Sequence, residues 1–177
     1  PNNYIDDLSI ISQPLDWVGT NYYTRSVIKP DKSETVIGFR CTRGDLPKTD
    51  MGWEIAPEGL AHFIKRTAEN YAPQLPHYIT ENGMASSDII QQGKINDTDR
   101  VDYFDRHLQI ITDLKLQGLN IAGYFAWSLL DNYEWAYGYA KRFGIVHVDY
   151  RTQKRTPKSS YRACLLYTSD AADDDAC

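Results

Sequence analysis

Two stretches of this sequence bring together side chains that could do chemistry. The first, Tyr78-Ile79-Thr80-Glu81-Asn82-Gly83, places a carboxylate at the end of a short apolar run, beside an amide and ahead of a turn. The second runs Trp127-Ser128-Leu129-Leu130-Asp131-Asn132-Tyr133-Glu134-Trp135 and is followed by Lys141-Arg142-Phe143-Gly144. Aromatic rings offer apolar faces on which the C–H face of a sugar can pack. A carboxylate can accept from two vicinal hydroxyls at once, and an indole adds one donor. A carboxylate on a rigid strand end, joined to such an aromatic and acidic cluster, is what gripping and cleaving a sugar requires.

The elements that must position these groups read as alternating strands and helices. Leu15 to Tyr23 is rich in β-branched and aromatic residues and predicts a strand. A polar stretch from Thr24 to Trp53 follows, with turn signals at Lys29-Pro30-Asp31 and Gly44-Asp45. Pro57 suits a first helical position, and Leu60, Phe63, Ile64, Ala68 and Tyr71 recur at helical spacing behind it. His77 to Thr80 predicts a second strand. After a loop with Gln91-Gln92-Gly93-Lys94, a helix begins at Asp97 or Thr98, with Val101, Phe104, Leu108, Ile111 and Leu114 as its apolar face and Gly118 at its end. Ile121 to Trp127 is nearly all apolar, as in a strand covered on both faces.

Strand, helix, strand, helix, strand predicts an α/β fold with a parallel sheet. No Gly-rich fingerprint follows any strand, which excludes a doubly wound nucleotide fold. Polar residues cluster just after each strand, the end at which (β/α)8 barrels build their sites. A closed barrel takes roughly 250 residues, so the 177 present predict an incomplete one. Val18, Ile79 and Phe125 are expected to form its apolar interior.

Composition narrows the classes further. The 42% hydrophobic content is ordinary for a globular protein. No apolar run is long enough for a membrane span. The net charge of −5 comes mostly from Asp170, Asp173, Asp174 and Asp175, so no basic face invites nucleic acid. Three cysteines, Cys41, Cys164 and Cys177, make neither a disulfide framework nor a metal set. The four histidines, His62, His77, His107 and His147, show no metal-ligand spacing; His107 is expected at the surface or in packing. Pro1-Asn2-Asn3-Tyr4 shows neither a basic n-region nor an apolar h-region, which says little where the chain begins without Met; a cytoplasmic setting is expected over a secreted one. Oligomeric state is left open.

From Leu15 to Ala163 these motifs resemble family 1 glycoside hydrolases, the β-glucosidase group. The resemblance implies the sixth to eighth strands of a (β/α)8 barrel and a retaining, cofactor-free hydrolysis of terminal β-glucosyl residues. β-Glucosides or cello-oligosaccharides would be the substrates, and carbohydrate catabolism the setting. Retaining glycosidases use two carboxyl groups roughly 5 Å apart, one the nucleophile and one the general acid and then base. Glu81 matches the family nucleophile, and Tyr23, in an Asn-x-Tyr pattern, matches the hydroxyl that bonds it. Asn21 is polar support near the sugar. Trp127 matches the platform under the sugar ring, Glu134 and Trp135 the grip on its far hydroxyls, and Phe143 an aromatic of the same pocket. Trp53 resembles the aglycone-side tryptophan. Glu54 and Glu58 read as structural, near a helix start where negative charge is favourable.

The family's acid/base glutamate, in an Asn-Glu-Pro motif, does not occur in these residues, so the piece by itself is expected to be inactive. Residues 1–163 are read as part of one catalytic domain, and 164–177, small and Asp-rich, as a non-native tail. Two other readings are weighed. A non-catalytic glycan- or protein-binding relative is opposed by the intact Glu81. A 6-phospho-β-glucosidase is opposed by Glu134, where those relatives carry a small hydroxyl residue.

Overall fold

The computed structural model describes residues 4–33 and 36–173. A short helix α1 (Tyr4–Ile11) leads into β1 (Val18–Asn21), then a hairpin of β2 (Val27–Pro30) and β3 (Phe39–Thr42). Helix α2 (Pro57–Asn70), strand β4 (His77–Asn82), a small hairpin of β5 (Ile90–Gln91) and β6 (Lys94–Ile95), helix α3 (Thr98–Leu116) and strand β7 (Ile121–Ala126) follow. Strands β8 (Val146–Val148) and β9 (Arg155–Pro157) pair antiparallel before the last helix, α4 (Ser159–Asp173).

The central sheet has the order β1-β4-β7, and both of its pairings are parallel. Register puts Val18 beside His77 and Thr20 beside Ile79 on one side, and Ile79 beside Tyr124 on the other. The two connecting helices cover one face. Leu60 and Ile64 of α2 and Ile111 and Leu114 of α3 close over Ile79, Ile121 and Tyr22. Each such buried side chain contributes roughly 1.5–3 kcal/mol. The helix termini follow local chemistry: Pro57 stands in the first turn of α2, and Gly118, at φ 90°, takes the left-handed turn after α3 that disfavours a side chain.

Several expectations are corrected. Val18, Ile79 and Phe125 do not share an interior. Side chains alternate along a strand, so Ile79 enters the helix-covered core while Phe125 lies on the opposite face and is 58% exposed. In α2 only Leu60 and Ile64 of the expected stripe are fully buried; Phe63 is 55% and Tyr71 70% exposed. Helix α3 is buried on more than the expected stripe, because Arg100, Tyr103 and His107 also face inward. It packs against α2 on one side and α4 on another. His107 is therefore a core residue, stacked on Tyr103 at 4.0 Å, and burial lowers its pKa to about 4. The polar stretch from Thr24 to Trp53 contains the β2–β3 hairpin, which period-2 patterning did not reveal. Helix α4 continues through Ala163 to Asp173, with Cys164 against the second core beside Phe104 and Ile145; no Gly or Pro interrupts it.

The face of the sheet away from the helices carries Trp17, Tyr78, Thr80 and Phe125 around a concavity. Trp17 meets the Tyr78 ring edge-on at 5.5 Å, and Tyr78 lies 6.5 Å from Phe125. Trp17 remains 51% exposed. Both outer strands of this sheet, β1 and β7, have one unpaired edge among the described residues. Open apolar faces and free edges invite association. Residues 1–163 produced alone should therefore aggregate or melt without a cooperative transition in a thermal scan monitored by circular dichroism. A sharp transition from a monomer would contradict this.

Candidate active site

The strand ends place the chemistry. Asn21, Asn82 and Ala126 end β1, β4 and β7, and the segments that follow them meet at one end of the sheet. Glu81 is the penultimate residue of β4 and is half-buried. The phenol of Tyr23, just past β1, donates to Glu81 Oε2 at 2.7 Å. Burial, then the bond to Glu81 and the charges of Glu81 and Glu134, push the Tyr23 phenol far above its usual range. The neutral, donating form is the one favoured beside Glu81.

Tyr22 and Tyr23 are adjacent yet separate cleanly. Tyr22 turns into the helix-covered core and donates to the Ala56 carbonyl at 2.6 Å. Tyr23 turns to the carboxylate. Around it stand Trp53, at 5.6 Å between ring centroids, and Phe143, at 6.0 Å and nearly perpendicular; Trp53 and Phe143 are 6.1 Å apart. The three rings form a triangle beside Glu81. Trp53 is brought there by Glu54, whose buried carboxylate accepts from Arg25 Nε at 2.7 Å and from the Leu46 N–H at 2.9 Å. Glu54 is thus structural as expected, but through this clamp on the loop; the Arg25 guanidinium holds its carboxyl below the usual range.

Glu134 is half-buried at the start of a 3-10 turn, Trp135–Tyr137, and its N–H donates to the Gly138 carbonyl at 2.7 Å. Burial, and after it the charge of Glu81, raises its pKa above the usual carboxylate range. The two carboxylates therefore sense each other across the site. Trp127 follows β7, and its N–H donates to the Asn82 carbonyl at 2.8 Å. Its own carbonyl lies where a Cβ on Gly83 would be, so the Glu-Asn-Gly sequence needs glycine at that approach.

Asn21 accepts from the Thr80 hydroxyl at 2.6 Å, on the open face of the sheet. Trp135 is 83% exposed and makes no ring contact with another aromatic among the described residues.

Sequence reasoning missed the scaffold under Glu81. Asn82 is fully buried: its amide donates to the Tyr22 carbonyl at 2.7 Å and the Tyr103 hydroxyl at 3.0 Å, and Tyr124 donates to its Oδ1 at 2.6 Å. The signal was there in an amide following the carboxylate, but its partners are scattered along the chain. Asp88, Asp131 and His147 also converge in a manner that could hold a metal ion. The Lys158 ammonium already bridges the two carboxylates, at 2.7 and 3.0 Å, and supplies the positive charge a metal would bring.

The profile of Glycosyl hydrolase family 1 matches residues 1–169. A 1,4-beta-D-glucan glucohydrolase of Thermotoga neapolitana is 49% identical over 162 residues, which is 90% of this chain and 36% of that protein. A 6-phospho-beta-galactosidase of Clostridium acetobutylicum is 36% identical over 178 residues, covering 89% of this chain and 38% of that protein. The crystal structure of the GH1 beta-glucosidase from Exiguobacterium antarcticum B7 superposes with a TM-score of 0.88 at 45% identity, over 94% of this chain and 37% of that one. The chain thus spans little more than a third of the length of these relatives. Its three-stranded unit is part of a (β/α)8 barrel, as the strand order predicts.

A raised carboxyl pKa carries a sign. Glu134 binds its proton more tightly folded than unfolded, so its ionisation costs stability as pH rises through the carboxylate range and beyond. In the complete parent protein, Glu134→Gln should raise the melting temperature at neutral pH and leave it unchanged at pH values where the glutamate is protonated. Melts across that range check it; a variant less stable at neutral pH contradicts it.

Proposed function

The chain belongs to glycosyl hydrolase family 1, and we propose on that premise that it carries the nucleophile half of a retaining β-glucosidase site. Glu81 attacks the anomeric carbon of a terminal β-glucosyl residue and forms a covalent glycosyl-enzyme. A second carboxyl group, outside these residues, protonates the departing oxygen and then activates water. The observation that carries this reading is the Tyr23 hydrogen bond to Glu81 inside an aromatic triangle, with Glu134 close by. A donor held on one oxygen leaves the other free to attack.

The remaining side chains take supporting roles. Trp127 and Phe143 offer apolar surface to the sugar face, and Glu134 accepts from its far hydroxyls, with Trp135 as a donor at the same side. Trp53 lines the aglycone side, and Asn21 gives polar support. No step calls on a cofactor. Residues 1–163 alone lack the second carboxyl and should not hydrolyse glycosides.

The alternative among relatives is a phosphorylated glycone. Glu134 speaks against it: a half-buried carboxylate there repels a phosphate. Glu134→Ser in the parent removes a two-point acceptor and a negative charge. It should lower kcat/KM for aryl β-glucosides and shift the ratio of activities toward 6-phosphoglucosides; an unchanged ratio places Glu134 outside the glycone pocket.

The nucleophile has its own test. In the parent, Glu81→Gln keeps the shape and loses the attacking charge, so kcat should fall by about a thousandfold or more while sugar binding stays measurable. Azide added to Glu81→Gly should restore turnover and give the inverted product, read by NMR of the anomeric proton. Turnover near wild type in Glu81→Gln would sink the assignment.

A further inference from the structure

The segment joining β7 to β8 runs out and back, and one carboxylate holds its two arms together at the base. Asp131, buried, accepts from four donors. Its Oδ1 takes the Gly144 N–H and the Lys158 ammonium, both at 3.0 Å. Its Oδ2 takes the Arg142 guanidinium at 2.5 Å and the Val148 N–H at 3.2 Å. Gly144 lies so close that a Cβ there would overlap the Asp131 backbone nitrogen. Two of the four donors, Arg142 and Gly144, thus belong to the returning arm, Val148 ends β8, and the fourth is a fully buried cation from just ahead of α4.

The same cluster reaches the Glu81 side of the site. Lys158 also pairs with Asp88 at 2.7 Å, and the fully buried Arg100 pairs with Asp97 and Asp88. Arg100 Nη2 then donates to the Arg142 carbonyl at 2.9 Å, and the Ser86 N–H donates to it at 3.2 Å. Ser86 follows Glu81 on the segment leaving β4. Phe143 sits between two residues that bind Asp131, and Glu134 stands three positions beyond Asp131 on the outgoing arm.

A buried ion cluster is costly, and apolar packing often stabilises a fold as well or better. What apolar packing cannot supply is a fixed separation between two arms set by directed bonds. We propose that Asp131 is a positioning residue for glycone recognition: its bonds to Arg142, Gly144 and Lys158 set where Glu134 and Phe143 stand relative to Glu81. This rests on the reading of Glu134 as the acceptor of the far hydroxyls.

The test compares kcat/KM for an aryl β-glucoside with its 4-deoxy and 6-deoxy analogues, in the complete parent protein. Loss of a hydroxyl bonded to a carboxylate should cost wild type about tenfold or more. In Asp131→Asn that penalty should shrink by about tenfold, because a displacement on the order of 1 Å is enough to lose such a contact. Any loss of folded molecules lowers both rates equally and cancels in the ratio, so a merely structural role leaves the penalty intact. Arg142→Lys, at a side chain that reaches solvent, keeps the cation and loses the fork; it should move the ratio in the same direction by less. On a Glu134→Gln background, Asp131→Asn should shift the ratio no further. A penalty equal to wild type in both Asp131→Asn and Arg142→Lys overturns the inference. A wild-type parent that hydrolyses no β-glucoside, or a Glu81→Gln that keeps turnover, defeats the underlying reading instead.

Discussion

The Asn82 side chain is the constraint on which this arrangement depends. One buried amide bonds the backbone after β1, a tyrosine of α3 and a tyrosine of β7, while the Asn82 backbone carbonyl receives the first N–H beyond β7. It therefore ties all three central strands together at the end where the site is built, one residue from Glu81. Loss of that amide would strand buried donors and acceptors, each worth about 1–3 kcal/mol when left unsatisfied. Apolar packing in the helix-covered core holds the sheet to its helices but is indifferent to small slides. The directed bonds of Asn82 are not, and they fix the strand ends against one another.

Charge is distributed around this centre in two different ways. At the open site the carboxylates of Glu81 and Glu134 have no ion-pair partner among the described residues, and a neutral phenol bonds the first. Behind the site, Asp88, Asp97 and Asp131 are matched by Arg100, Arg142 and Lys158. Under the proposed function the difference is one of purpose: a carboxylate that attacks or accepts from a substrate has to keep an oxygen available, whereas one that holds a loop is best saturated. Burial disfavours the charged form of Lys158, and the two aspartates counter it.

The aromatic side chains divide along the same lines. Tyr22, Tyr103 and Tyr124 are inside, each with its hydroxyl bonded and its phenol pushed up chiefly by burial. Tyr23, Trp53 and Phe143 face each other beside Glu81. Neighbouring positions in a strand or its extension point opposite ways, which is how Tyr22 and Tyr23 serve two surfaces. The open face with Trp17, Tyr78 and Phe125 belongs to neither group and leaves an apolar surface uncovered by these residues.

The sequence by itself determined the central strand-helix-strand-helix-strand order, the parallel sheet and the two motif segments. Those are local properties: apolar periodicity, Pro57 at a helix start, Gly118 at a helix end, and a carboxylate before a turn. The β2–β3 hairpin escaped because its residues are mostly exposed and show no alternation of burial. Which way Ile79 and Phe125 face, the clamp of Arg25 on Glu54, the Asn82 hub and the ion cluster on Asp131 were decided only by tertiary structure. Each depends on partners far apart in the chain, and no spacing rule specifies which distant carbonyl, hydroxyl or cation will meet a given side chain once the strands are packed.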